Sequence, residues 1–192
     1  MSLGDNIRAC RNCGIRKHQL PILDEAPEGD KVVMCVDYTA PLLPQSERNN
    51  IPEFDRCFPA GPMLEPALKD LARFGYTFYG SYLLKCPPLT NGAPRKPTRY
   101  EIKNCFHHLL EEIEAYHPHG VLMLGQGVYM NVLPLLGLPF KKSYGYYFNI
   151  YEYNGFKFIA APHPGTLDKL RDNTSLYMEG IVSAVRRCGE SQ

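Results

Sequence analysis

The sequence predicts an α/β fold with a largely parallel central sheet. Short apolar, β-rich runs alternate with segments of helical periodicity over most of the chain, the pattern that crossover connections leave. One hairpin signal stands late in the chain, where Asn154-Gly155 separates two strand-like runs and offers the favoured two-residue turn. The 192 residues form one domain, 1–192, large enough for a substantial core.

Each element has its own signal. Residues 1–30 are polar and read as irregular apart from Cys10-x-x-Cys13. Lys31–Tyr38 is a short apolar run and reads as a buried strand. Residues 39–61 are proline-rich and suggest a long functional loop. Pro62–Phe74 places Leu64, Ala67, Leu68 and Leu71 on one helical face, with Gly75 as the stop. Tyr76–Lys85 reads as a second strand, and Cys86–Thr98 as a proline-rich loop. Arg99–Tyr116 carries the strongest helical repeat, through Ile102, Phe106, Leu109, Leu110 and Ile113. Gly120–Leu124 is a third strand and is followed by a helix to about Leu136. Tyr146–Tyr153 and Phe156–Ala161 form the hairpin. The last helix runs from about Ser175 to Arg187 and is expected to bury Leu176, Ile181, Ala184 and Val185.

In open α/β sheets the ligand lies beyond the carboxyl ends of the strands. The Thr39-Ala40-Pro41 loop, the Gly125-Gln126-Gly127 turn and Pro162-His163-Pro164-Gly165 all fall there.

Composition narrows the function classes. No apolar run is long enough to span a membrane, and Met1-Ser2-Leu3-Gly4-Asp5 has no basic-then-apolar leader pattern. The expectation is an intracellular protein of cytoplasm or nucleoid, cell- or virus-encoded. The formal charge is only +1, so a nucleic-acid partner needs a local basic patch. Arg95-Lys96 with Arg99, and Lys141-Lys142, are the candidates.

The chain has seven cysteines, and in a reducing compartment these read as ligands plus bystanders. Cys10, Cys13, Cys86 and Cys105 form a ligand set of one close pair and two distant members, which suits either a [4Fe–4S] cluster or a structural zinc. Cys35 reads as a buried strand residue, and Cys57 and Cys188 have no partner at ligand spacing. His107, His108, His117 and His119 read as surface or helix-end residues.

An ordered set of motifs then resembles the family 4, iron–sulfur type of uracil-DNA glycosylase. The set comprises Cys10-x-x-Cys13, Ala40-Pro41 after the first strand, Cys57-Phe58-Pro59-Ala60-Gly61, Leu84-Lys85-Cys86-Pro87-Pro88 with Asn91, Glu101-Ile102 with Cys105, Leu124-Gly125 and His163-Pro164. The resemblance implies a three-layer α/β/α architecture with a central, mainly parallel four-stranded sheet. It also implies a structural [4Fe–4S] cluster on the four cysteines and DNA as partner. Such enzymes flip a base into a pocket and cut its glycosidic bond. An acid after the first strand activates water or stabilises the sugar cation, and a late His stabilises charge on the departing base. By that correspondence His163 is the late His, Phe58 the ring that stacks on the base, and Asn91 a loop residue beside the pocket.

Two positions depart from the pattern. Thr39 stands where the acid belongs, and a hydroxyl is uncharged near neutral pH. Asp37 precedes it by two residues and shares its face of an extended strand, about 6–7 Å away along the chain. Tyr82 stands where an Asn reads the base, and a phenol lacks the paired donor and acceptor of an amide. The catalytic candidates are therefore His163, Asp37 and Thr39, and the pocket candidates Phe58, Tyr82 and Asn91. The expected activity is recognition or excision of a flipped uracil-like or modified base, in single- or double-stranded DNA. The alternative is a non-catalytic DNA-binding or replication-accessory protein that keeps the fold.

Overall fold

The computed structural model describes residues 3–17, 21, 23, 27–43, 61–139, 148–166 and 174–189. The chain begins with a short helix α1 (Leu3–Ala9) and a 3-10 turn over Gly14–Lys17. It continues through β1 (Val32–Thr39), α2 (Gly61–Ala72), β2 (Thr77–Leu84), β3 (Leu89–Thr90), β4 (Ala93–Pro94) and α3 (Arg99–Tyr116). It ends with β5 (Gly120–Leu124), α4 (Gln126–Leu135), β6 (Asn149–Tyr153), β7 (Phe156–Ala161) and α5 (Thr174–Arg187).

The central sheet has the order β2-β1-β5-β7-β6. The first four strands are parallel, and β6 joins the edge antiparallel to β7. The four-stranded parallel sheet is thus present, and the arm of the hairpin adds a fifth strand. Asn154 and Gly155 both adopt positive φ in that turn, the conformation an Asn-Gly pair tolerates.

Strand alternation divides the core into two layers. Val33, Cys35, Leu122, Leu124, Ile159 and Ala161 face α2 and α5. Val32, Met34, Val36, Val121, Met123 and Phe158 face α3 and α4. Strands buried on both faces read as continuous apolar runs, as these do.

Three expectations change. Residues 3–9 are helical, with Ile7 buried. The loop after Cys86 contains the small β3–β4 hairpin, turned by Asn91 and Gly92 at positive φ. On α5, Leu176 is exposed and Tyr177 takes the buried position; the aromatic ring sets the helical phase one residue later than the aliphatic pattern suggested. Among the described residues no helix is long and apolar enough to cross a membrane.

Candidate functional site

β1, β5 and β7 are adjacent strands, and their carboxyl ends converge on one group of residues. Asp37 lies near the end of β1. Its Oδ1 accepts from the Tyr38 N–H at 2.6 Å, and its Oδ2 lies 3.5 Å from His163 Nε2. His163 follows β7 in a loop held at several points. The Tyr177 hydroxyl donates to Pro162 O at 2.7 Å, and the Thr166 hydroxyl donates to His163 O at 2.7 Å.

The Gly165 N–H donates to His163 Nδ1 at 3.0 Å. An amide N–H can only donate, so Nδ1 accepts and the ring proton belongs on Nε2, facing Asp37. The Asp37 carboxylate raises the His163 pKa above its ordinary value, and partial burial opposes it. Protonating Nδ1 would sacrifice the Gly165 bond, so the carboxylate acts mainly by holding the Nε2 proton.

Two glycines make room for this arrangement. A Cβ on Gly125 would stand 2.8 Å from the His163 Cβ, and Gly125 has φ +87. Only a residue without a side chain lets the end of β5 approach the His163 loop so closely. A Cβ on Gly127 would press on the Tyr38 ring at 3.1 Å.

The structure places the other candidates differently. Thr39 is the last residue of β1 and pairs with Leu84. Tyr82 lies beside Asp37 in the β1–β2 register and is fully buried in the layer under α2 and α5. It occupies volume there. Asn91 sits exposed at the tip of the β3–β4 turn. Arg95 forks onto Glu101, with contacts of 2.8 and 2.5 Å, and also donates to Lys96 O. The Arg95 guanidinium holds the Glu101 carboxyl down to about 2. Arg95 thus braces the start of α3, where Thr98 and Glu101 form a capping box. Phe58, Lys141 and Lys142 lie outside the described residues, as does Cys57.

The four ligand candidates meet on the other side of β2. Cys10, Cys13, Cys86 and Cys105 line one small cavity, part of it open to solvent. Asn12 N–H points at Cys10 Sγ (3.5 Å) and Lys85 N–H at Cys105 Sγ (3.4 Å), and thiolate sites use such amide-to-sulfur contacts. Burial raises the thiol pKa of Cys13, Cys86 and Cys105, that of Cys105 to about 11. Thiols so buried lose their protons only to a cation that replaces them. Among the described residues, the group whose ligand atoms all fall within 4.8 Å of one another is His107, His108 and Glu111. Four thiols around one cavity suit a metal centre of either kind, a single zinc ion or an iron–sulfur cluster.

Beneath this cavity lies a network that the sequence reading missed. Lys85 and Glu112 are each 1% exposed and form an ion pair. Ser81 and Tyr79 hydroxyls donate to Glu112 at 2.7 and 2.8 Å, and Lys85 Nζ also donates to Ser81 at 2.5 Å. Lys85 and Glu112 are 27 residues apart, so no local pattern announces the pair. His108, expected at the surface, is buried.

Comparison with known proteins identifies a family. The sequence model of the uracil DNA glycosylase superfamily matches residues 31–185. The chain is 32% identical over 113 residues to a protein of Pyrobaculum aerophilum named Type-5 uracil-DNA glycosylase. That alignment covers 57% of this chain and 45% of the relative, so the chain spans about half the length of the relative it matches.

Proposed function

The chain belongs to the uracil DNA glycosylase superfamily, and from that membership and its strand-end geometry we propose that it excises a flipped base from DNA. The observation that carries the reading is the Asp37–His163 pair at the carboxyl ends of neighbouring strands, with the ring proton directed by Gly165. Glycosidic cleavage leaves positive charge on the sugar and negative charge on the base. Asp37 supplies the carboxylate that stabilises the first, or orients water toward it. His163 Nε2–H turns from Asp37 to the base oxygen and stabilises the second. The 3.5 Å contact is long for a committed hydrogen bond, and this leaves the proton free to change partners.

Tyr82 argues against plain uracil as the substrate. It fills the position of the expected base reader and is fully buried. A deaminated purine or a modified pyrimidine, read by groups other than an amide at position 82, is the substrate class proposed in place of plain uracil. The cysteine centre takes a structural role. Cys10, Cys13, Cys86 and Cys105 would hold a [4Fe–4S] cluster, which ties the N-terminal segment to β2 and α3. The binding-protein alternative keeps one specific support, the coincidence of Thr39 and Tyr82 at the two altered positions.

The test is base excision by anaerobically purified protein at enzyme excess. Single- and double-stranded oligonucleotides would carry uracil, hypoxanthine, xanthine or hydroxymethyluracil. Strand cleavage by alkali at any one of these supports the enzyme. No cleavage, with DNA still bound and Thr39→Glu/Tyr82→Asn restoring uracil excision, identifies a binder descended from an enzyme. Iron and sulfide analysis decides the cluster separately.

A further inference from the structure

The middle of α3 carries a group that base excision does not use. His107 and Glu111 are four residues apart and His108 and Glu111 three apart, so the helix brings all three to one side. Their ligand atoms lie within 4.8 Å of one another. His108 Nδ1 is 2.9 Å from Glu111 Oε2, and the two imidazole rings stand 3.8 Å apart between centroids.

Hydrogen bonding alone does not satisfy this group. A carboxylate only accepts, so a proton on His108 Nδ1 bonds to Glu111 and leaves Nε2 as a bare lone pair. That Nε2 atom is buried and has no hydrogen-bond partner. A proton on Nε2 instead leaves two acceptors, Nδ1 and the carboxylate, facing each other. Either neutral tautomer leaves Nε2 without a partner, and the second also sets two acceptors against each other across 2.9 Å. A cation between Nδ1 and Oε2 turns that facing pair of acceptors into two ligands.

We propose that His107, His108 and Glu111 form a second metal site, separate from the cysteine centre, for a first-row divalent ion of the zinc class. Two imidazoles and one carboxylate are the donor set such ions prefer. His107 and Glu111 are partly exposed, which gives the ion a route from solvent and leaves positions for water. Asn12 meets His107 Nε2 at 3.5 Å, and the Asn104 side chain donates to Asn12 O at 2.9 Å. His107 thus touches the segment between Cys10 and Cys13 as well as its partners on α3.

Titration of anaerobically purified full-length protein with Co2+ tests this, because thiolate and imidazole–carboxylate coordination differ in colour. The expected result is one tightly bound Co2+ per chain beyond the metal already present, with no thiolate-to-cobalt charge-transfer absorption. His107→Ala and Glu111→Gln should each weaken it by at least about tenfold. Both leave the buried His108 in place, and both should retain the metal and sulfide content of the cysteine centre. Unchanged Co2+ affinity in both variants, thiolate bands from the added ion, or no further uptake overturns the proposal. None of these readouts depends on glycosylase activity, so failure of that reading is scored separately.

Discussion

Two carboxylate pairs, Lys85–Glu112 and Asp37–His163, differ in how far each is finished. Lys85–Glu112 is sealed. Both members are 1% exposed, and both Glu112 oxygens accept from hydroxyls as well. Asp37–His163 is open: the His side chain is 35% exposed and the contact is 3.5 Å. A saturated buried pair has no spare proton and no room for a ligand, so it holds β2 to α3. A loose pair at strand ends can exchange one partner for a substrate. Burial and hydrogen-bond saturation, more than charge, separate the two roles.

Breaking the sealed pair should produce the largest loss of stability. Glu112→Gln keeps one oxygen that can accept from Tyr79 or Ser81, sets an NH2 donor against the other hydroxyl, and leaves the Lys85 ammonium uncompensated. The expected cost is about 3–5 kcal/mol, read by urea unfolding. Lys85→Met/Glu112→Gln removes both charges and should recover most of it. If the single variant is as stable as the parent, the pair is not a structural bolt and the contrast fails.

Asp37→Asn should invert that pattern. Excision on the base that proves to be the substrate should fall about 100- to 10,000-fold, while the unfolding midpoint moves little. The carboxylate raises the His163 pKa above 6.5. Its attraction for the imidazolium therefore stabilises the fold fully below the ordinary value and is lost as pH rises through the raised one. Asp37→Asn should return the His163 titration toward 6.5, followed by NMR of the ring protons. An unchanged titration would show that Asp37 does not govern the ring.

The sequence made some of this legible and hid the rest for identifiable reasons. The bounds of α3 match the helical repeat at Arg99–Tyr116, because eighteen residues with five spaced apolar positions leave little ambiguity. The β6–β7 turn follows from Asn-Gly alone. β3 and β4 are two residues each, too short for any alternation to show. Asp37 and Thr39 were placed on one strand face by period two, yet the meeting of Asp37 with His163 depends on β5 lying between β1 and β7. Arg95 was read as a basic patch because a sequence shows a charge without showing that Glu101, six residues later, neutralises it. Tyr82 was recognised as a departure, but its complete burial depends on α2 and α5 closing over that layer.

Arg95–Glu101 sharpens the comparison from an intermediate position, being a bidentate pair only partly buried. Glu101→Gln removes the charged half of the fork and weakens the capping box, with an expected loss of about 1–3 kcal/mol. The Glu101 carboxyl sits at about 2 instead of 4.5. Its contribution is present above 4.5 and is lost as pH falls from there through about 2. Acid unfolding of the parent should therefore show a component in that window that Glu101→Gln lacks. If Arg95 instead serves DNA, Glu101→Gln frees it and should strengthen binding; no change in affinity together with lost stability assigns it to the helix start.

The smallest effect belongs to Asn91, and it asks whether a hairpin tip is architecture or contact. Asn91 holds φ 50 beside Gly92 at φ 79, a turn that glycine tolerates as well as asparagine. Asn91→Gly should leave stability within about 0.5 kcal/mol of the parent, because the backbone requirement is met and the exposed side chain supplies no packing. A contact with DNA would be lost in the same variant. Parallel measurement of unfolding and of oligonucleotide affinity separates the two roles. Unchanged stability with weakened binding would place the tip on the DNA path, alongside the open pair. Unchanged stability with unchanged binding would leave Asn91 as a turn residue, on the structural side with Lys85–Glu112.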